Sequence, residues 1–327
     1  MLLQVEQLSL SLKKDGSYLK ILDDVSFSID KGETLGIVGE SGCGKSMTAL
    51  SIMRLLPDKA RLSGKVSLGE SEITTLSKKQ LEKIRGNKIS MIFQDPLTSL
   101  NPLHTVGKQI SESLMLHTDL SKTERKQRVV DLLKEVGLPR AEELVNEYPH
   151  QLSGGMRQRV MIAIAMACNP QLLICDEPTT ALDVTVQAQI LELMNNLKRT
   201  NDMGIIMITH DLGVVAEVCD RVVVMYAGKV VEQGTVEELF AEPKHPYTKG
   251  LLQSVPKIGQ RKQSLGSIPG TVPSPKNMPS GCRFADRCKE AMDHCKSSQP
   301  NTYTVGSNHT VACWLFEAKE MNKVGIT

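Results

Sequence analysis

The sequence predicts an α/β fold: a sheet covered by helices, with antiparallel strands at the N-terminus and a small loop-rich C-terminal extension that contains cysteines. Three observations carry that prediction. A short apolar strand, Thr34 to Val38, runs into a glycine-rich turn and then into a stretch of helical periodicity. Apolar strands then alternate with helices through the middle of the chain, the pattern of a parallel sheet covered on both faces. Near residue 256 the composition shifts: Pro256, Pro269, Pro273, Pro275, Pro279 and Pro300 follow, with Gly, Ser and Asn between them.

Taken in order, Val5 to Leu12 alternates apolar and polar residues in its second half, at Leu8, Leu10 and Leu12, and Ile21 to Ile29 over a longer stretch, as antiparallel strands with one exposed face do. Lys31-Gly32-Glu33 is a turn, and Ser46 to Leu56 reads as the helix after the glycine-rich turn. Ile89 to Phe93 is a buried strand. Residues 105 to 147 are rich in Leu, Glu, Lys and Arg, and Glu124 to Val136 forms an amphipathic helix stopped by Gly137. Val160 to Ala167 is a buried helix, Leu172 to Cys175 an apolar strand and Gln187 to Leu197 a helix. Ile205 to Thr209 and Arg221 to Tyr226 complete the strands. A boundary near Val255 divides a main domain, 1–255, from an extension, 256–327, too short for a large core of its own.

Composition narrows the function. The 327 residues carry 39 Lys plus Arg against 37 Asp plus Glu, a net charge of +2, so no global field favours nucleic acid. Apolar residues are 40% and charged residues 23%, ordinary for a globular chain. The longest apolar run, Val160 to Cys168, falls far short of the roughly 20 residues a bilayer demands. Met1 to Val5 lacks a signal peptide's basic and apolar regions, so the chain is expected in the cytosol, serving a membrane only from its surface.

Gly39-Glu40-Ser41-Gly42-Cys43-Gly44-Lys45-Ser46 matches G-x-x-x-x-G-K-S in full, between a strand and a helix as the motif requires. Its glycines let backbone N–H groups curl around phosphates at a helix N-terminus. Lys45 adds a point charge, and the Ser46 hydroxyl can ligate Mg²⁺. The strand at Leu172 ends in Asp176-Glu177. Asp176 suits Mg²⁺, directly or through water, and Glu177 can act as a general base on an attacking water. With Lys45, the pair points to nucleoside triphosphate hydrolysis. Leu152-Ser153-Gly154-Gly155-Met156-Arg157-Gln158-Arg159 makes a second anion-binding helix N-terminus. One complete phosphate loop needs no second for the same nucleotide, so this one is expected to face a nucleotide held by another chain. Arg157 and Arg159 are given no catalytic role.

At this point the sequence resembles the ATP-binding subunits of ABC transporters, in order over most of residues 1–255. Gly39 to Ser46 resembles the Walker A loop, Phe93-Gln94-Asp95-Pro96 the Q-loop, Leu152 to Arg159 the signature motif, Leu172 to Glu177 Walker B, Ala181-Leu182-Asp183 the D-loop, and Thr209-His210-Asp211 the switch histidine. The resemblance implies that Gln94 reaches Mg²⁺ and the attacking water, that His210 contacts the γ-phosphate, and that Asp183 works across a dimer interface. It implies ATP and Mg²⁺ as cofactors, and an α/β core with a mixed sheet flanked by helices, an antiparallel N-terminal β-subdomain and a helical subdomain at about residues 96–158. The family stacks adenine on an aromatic residue shortly before the strand at Ile21, and Tyr18 is the aromatic residue nearby, at slightly unusual spacing. The other reading of Tyr18 is an exposed turn tyrosine.

Glu242-Pro-Lys-His245-Pro246-Tyr247-Thr248, after Gly234 to Phe240, resembles the start of the extension in oligopeptide, dipeptide and nickel importer ATPases. That implies a second homologous ATPase subunit in a heterodimer, two integral membrane permease subunits, an extracellular solute-binding protein, and a place on the cytoplasmic face of the membrane. Peptide is the expected solute, nickel or a metallophore the alternative. A soluble ABC-type ATPase of DNA repair or translation is the reading from a different class. It is disfavoured by the single cassette, the short interval from Gln94 to Ser153 and the lack of a basic stripe.

Four of the eight cysteines, Cys282, Cys288, Cys295 and Cys313, crowd the extension at spacings too wide for paired CxxC knuckles. The tail resembles that of family members carrying a [4Fe-4S] centre; zinc and unligated thiols are the alternatives. Because prolines are many and large apolar residues few, the extension is expected to need docking or a metal staple. Arg283, Arg287 and Lys289 are expected to lower the thiol pKa values.

Overall fold

The computed structural model describes residues 1–180, 182–254 and 268–317. The boundary expected near Val255 and Ala181 of the D-loop lie outside the described residues. The described strands are β1 Leu3–Lys14, β2 Ser17–Ile29, β3 Thr34–Val38, β4 Arg61–Leu68, β5 Ser71–Glu72, β6 Ile89–Ile92, β7 Leu172–Asp176, β8 Gly204–Ile208, β9 Arg221–Tyr226, β10 Lys229–Thr235, β11 Tyr303–Thr304 and β12 Thr310–Val311. Two units divide the chain, each discontinuous in sequence: Met1–Leu2, Ile29–Glu33 and Thr75–Ile208 in the first, Leu3–Ser28, Thr34–Thr74 and Thr209–Thr327 in the second.

In the first unit β6, β7 and β8 are parallel, with Ile174 level with Met91 and Ile206. Every residue of β7 and β8 is buried, which explains their unbroken apolar sequence. The helix Gly154–Met166 is buried on several sides, through Val160, Met161, Ile162, Ala163 and Met166. It packs with the helices Val106–His117 and Lys122–Glu135. Lys122–Glu135 starts at a capping box, in which Ser121 and Glu124 satisfy each other's backbone N–H groups, and buries Val129, Val130, Leu132 and Leu133. Among the described residues no helix is long and apolar enough to cross a membrane.

The second unit holds two sheets. One is antiparallel, in the order β2-β1-β4-β5, with Leu3, Leu8 and Leu10 inside. The other is mixed: β3 pairs parallel to β9, β9 antiparallel to β10, and β10 and β12 are antiparallel, as are β12 and β11. The run from Arg221 therefore lies against one parallel and one antiparallel neighbour, rather than in a wholly parallel sheet.

The extension docks on this second unit by several routes. β12 adds to the edge of β10, Val311 facing Glu232. Phe284 closes on Tyr226 and Tyr247, with ring centroids 5.2 and 5.4 Å away. The buried guanidinium of Arg283 donates to Ala227 O and forms an ion pair with Asp23 at 2.5 Å. Glu232, buried, accepts from the backbone N–H groups of Lys244 and His245 and lies 2.7 Å from His309 Nε2. Burial acts to raise the Glu232 pKa, but the hydrogen bonds from His309, Thr248 and the two backbone amides outweigh it and hold the carboxyl below its ordinary value. The extension thus contributes buried aromatic and apolar side chains, Phe284, Tyr303 and Val311 among them, that its composition concealed.

Candidate functional site

Phosphate chemistry is distributed over both units. In the second, β3 ends at Val38 and the chain turns through Gly39 to Gly44 into the helix Lys45–Ile52. Gly39 has φ +150°, and a Cβ there would stand 2.2 Å from Met225 O, so no other residue fits. Such a close-packed bare backbone is the cradle that a triphosphate requires. Lys45 is buried, its Nζ donating to Gly39 O at 2.7 Å and to Glu40 O at 3.2 Å. The loop's own carbonyls therefore hold the ammonium at the mouth of the turn. Cys43 O accepts from Gly228 N at 2.8 Å, and burial raises the Cys43 thiol pKa.

Glu40 has partners that the motif does not predict. Its backbone N donates to Tyr247 Oη at 2.8 Å, and its carboxylate takes both ends of the Arg287 guanidinium, at 2.7 and 3.0 Å. Glu40, expected among the phosphate-binding residues, also anchors the loop through its amide and its carboxylate. Ser41, Gly42 and Gly44 complete the turn, and Ser46 lies in the first turn of the helix. Tyr18 lies within β2 rather than ahead of it, 38% exposed, with the Arg61 guanidinium 3.6 Å above its ring centroid. Ring and guanidinium form a cation–π stack.

In the first unit Asp176 ends β7, nearly buried, and Glu177 follows with φ +49°. A non-glycine residue in that region is held there by its surroundings. Glu177 N donates to Ile208 O at 2.9 Å; its Oε2 accepts from Gln94 Nε2 at 2.9 Å and from Thr180 Oγ1 at 3.0 Å. Gln94 and Glu177, 83 residues apart in sequence, are thus brought together. Thr180 was missed by sequence reasoning; a hydroxyl three residues after the carboxylate, on the turn leaving β7, was the available signal. The hydroxyl of Ser46, the amide oxygen of Gln94 and the carboxylate of Asp176 are hard oxygen donors of the kind Mg²⁺ takes.

Ser153 caps the helix Gly154–Met166, its Oγ accepting from Met156 N at 3.4 Å. Ser153 and Gly154 are exposed, and a Cβ on Gly154 would meet nothing within 4 Å. Arg157 Nε donates to Pro149 O and Arg159 Nη2 to Gln189, so these cations brace local structure. Asp183 caps the helix Val184–Asn201 through Val186 N at 3.0 Å. His210 follows Thr209, which donates to Ile37 O and whose hydroxyl accepts from Asp211 N; Asp211 caps the helix Leu212–Val218.

The four clustered cysteines line one small cavity with His245, Phe284, Met292 and Trp314. Among the described residues, no group of three or more His, Cys, Asp or Glu side chains stands where it could hold a metal ion. Three of the thiols run against the expected lowering of their pKa values. Burial, the largest influence, raises those of Cys282 and Cys288 and pushes Cys313 up to about 11. Two of the three cations expected to lower them are engaged elsewhere, Arg283 with Asp23 and Arg287 with Glu40.

A P-loop with a strand-end Asp-Glu pair and a second glycine-rich helix start define a nucleotide-hydrolysing ATP-binding cassette. The chain belongs to the ABC transporter family, whose pattern matches residues 22–180, and it carries the oligopeptide/dipeptide transporter C-terminal region over residues 231–295. It is 54% identical over 318 residues to the oligopeptide transport ATP-binding protein AppD of Bacillus subtilis (strain 168), covering 97% of both chains. It is 49% identical to the dipeptide transport ATP-binding protein DppD of the same organism, over 98% of this chain and 97% of that one. Among solved structures, the ATP-binding cassette MJ0796, in a dimeric post-hydrolysis state with ADP and Pi, superposes with a TM-score of 0.65 at 31% identity, covering 72% of this chain and 98% of that one. The chain is an ATPase.

Proposed function

We propose that this ATPase energises import of di- or oligopeptides across the cytoplasmic membrane, bound peripherally to its cytoplasmic face. The observation that carries this reading is the likeness to peptide-transport ATP-binding proteins across both the cassette and its C-terminal region. Residues 1–255 act as the cassette, with a helical subdomain near 96–158, and 256–327 as the importer-type extension. Gly39 to Ser46 bind the phosphates, with Lys45 as the charge. Ser46, Gln94 and Asp176 are the residues that would hold Mg²⁺, which when bound supplies charge neutralisation on the phosphates. Glu177 accepts the proton of the attacking water, oriented by Gln94 and Thr180. His210 contacts the γ-phosphate. Adenine stacks on Tyr18, the opposite ring face being taken by Arg61.

Ser153, Gly154, Gly155 and Asp183 serve the nucleotide held by a second homologous ATPase subunit, and the exposure of Ser153 and Gly154 supports this. Two permease subunits dock beside Gln94, where the adjacent Phe93 is 41% exposed; an extracellular solute-binding protein delivers the peptide. The test is ATPase activity of the purified chain alone and with its permease and partner subunits in vesicles, with and without peptide-loaded binding protein. Strong activity from a demonstrated monomer would refute the composite site, and stimulation by a nickel-loaded binding protein in place of peptide would reassign the solute.

The finer reading of the extension is that Cys282, Cys288, Cys295 and Cys313 together hold one metal centre, [4Fe-4S] or alternatively Zn²⁺. Their shared cavity supports it; their placement, short of ligating geometry, does not, and no step of hydrolysis runs through it. Anaerobic purification with absorption near roughly 400 nm and iron, sulfide and zinc analysis decides between cluster, zinc and free thiols.

A further inference from the structure

We propose that Arg287 and Tyr247 are positioning residues for ATP binding: through Glu40 they hold the phosphate loop in its binding shape from outside the motif. The loop is fixed at two points. Cys43 is tied to Gly228, in the turn between β9 and β10; Glu40, besides its carbonyl's bonds within the loop to Cys43 N and Lys45 Nζ, is tied to Tyr247 and to the extension. The Arg287 tie is unusually complete, because all five guanidinium N–H donors are used. Nε donates to Pro269 O, Nη1 to Glu40 and to Tyr226 Oη, and Nη2 to Glu40 and Ile268 O. The side chain is 6% exposed, so water screens the pair little. Tyr247 is fully buried and takes the Glu40 amide, which fixes the orientation of that peptide at the start of a turn rich in glycine.

A glycine-rich loop left free has a large conformational freedom to lose when it closes on phosphates. Ordering it beforehand moves that cost out of the binding step, so the anchor strengthens nucleotide affinity without touching the nucleotide. The same logic places the effect in affinity and KM rather than in kcat, since Glu177, Gln94 and Thr180 owe nothing to Arg287.

The inference rests on the ATPase reading, and the experiment separates the two. Affinity of the full chain for a fluorescent ATP analogue is measured by titration, and kcat and KM with the partner subunits present. Arg287→Ala should weaken nucleotide affinity about tenfold, as loss of a bidentate charged pair does, with kcat at saturating ATP nearly unchanged. Arg287→Lys, which keeps the charge but not the fork, should fall between. Glu40→Gln should weaken binding similarly, and Arg287→Ala with Glu40→Gln should be no worse than the poorer single variant. Wild-type affinity in a folded Arg287→Ala, a loss confined to kcat, or additive effects in the double variant would each overturn the proposal. If near-ultraviolet circular dichroism shows Arg287→Ala to be unfolded, Arg287→Lys and Glu40→Gln decide by the same criterion. A wild-type chain that neither binds nor hydrolyses ATP would defeat the ATPase reading instead.

Discussion

Lowering the pH from 7 to 5 should weaken the second unit through one buried imidazole. His245 is fully enclosed; its Nδ1 accepts from Tyr247 N at 3.0 Å and caps the helix Pro246–Gln253. Burial drives its pKa from 6.5 to about 4, the Glu232 carboxylate pulling the other way and Lys249 adding to the fall. The native state therefore keeps the ring neutral while the unfolded chain takes up a proton below pH 6.5. Because the unfolded state binds more protons between about pH 4 and 6.5, stability falls as pH drops through that window. With those two values the loss at pH 5 is about 2 kcal/mol relative to pH 7. Urea denaturation of the purified chain at both pH values measures it, with His245→Asn as the control. Asparagine keeps a capping oxygen but cannot titrate, so its pH 7 to pH 5 loss should be smaller than wild type by about that amount. If His245→Asn loses as much stability as the wild type over this interval, the neutral buried imidazole is not the cause.

Glu177→Gln should leave ATP binding intact and lower steady-state hydrolysis by about 10²–10⁴-fold, the usual cost of a lost general base; turnover of the purified complex checks this. Lys45→Ala should differ by weakening nucleotide binding itself, as read by equilibrium titration, since it removes a charge that acts on the ground state. Gly39→Ala should abolish ATP binding and lower the thermal midpoint, because its methyl would overlap Met225 O. A variant with wild-type affinity and midpoint would mean that the turn can open there. Glu232→Gln should lower stability at pH 7, since His309 and two backbone amides would lose a charged acceptor. As pH falls below about 4.5 the wild type should lose this advantage, because its depressed carboxyl then protonates.

The phosphate loop, strand-end Asp176 and Glu177 were legible because their chemistry is written in consecutive residues on strands with unbroken apolar sequence. The meeting of Gln94 with Glu177 was legible only through the order of motifs. Less legible were β4, where polar residues and Gly64 interrupt the alternation, and the helix Val106–His117, whose buried positions reduce to Val106, Gly107, Ile110 and Leu114. The helix after the phosphate loop ends at Ile52 instead of Leu56, because Arg54 takes up a positive φ. The extension was misjudged most. Its docking depends on single long-range pairs, Arg283 with Asp23, Arg287 with Glu40 and His309 with Glu232, and no local pattern announces a partner more than 70 residues away.

The aromatic nest of Tyr226, Tyr247 and Phe284 bears on how the protein can be cut. A shortened chain ending at residue 254 would keep the first two rings and lose the third, so two tyrosines that are now fully buried would face solvent. β10 would become a bare sheet edge once β12 is gone, a template for pairing with another copy. Glu232 would sit at that edge without His309. The cassette is therefore not a detachable module: expressed without its tail, it should form aggregates rather than a working ATPase.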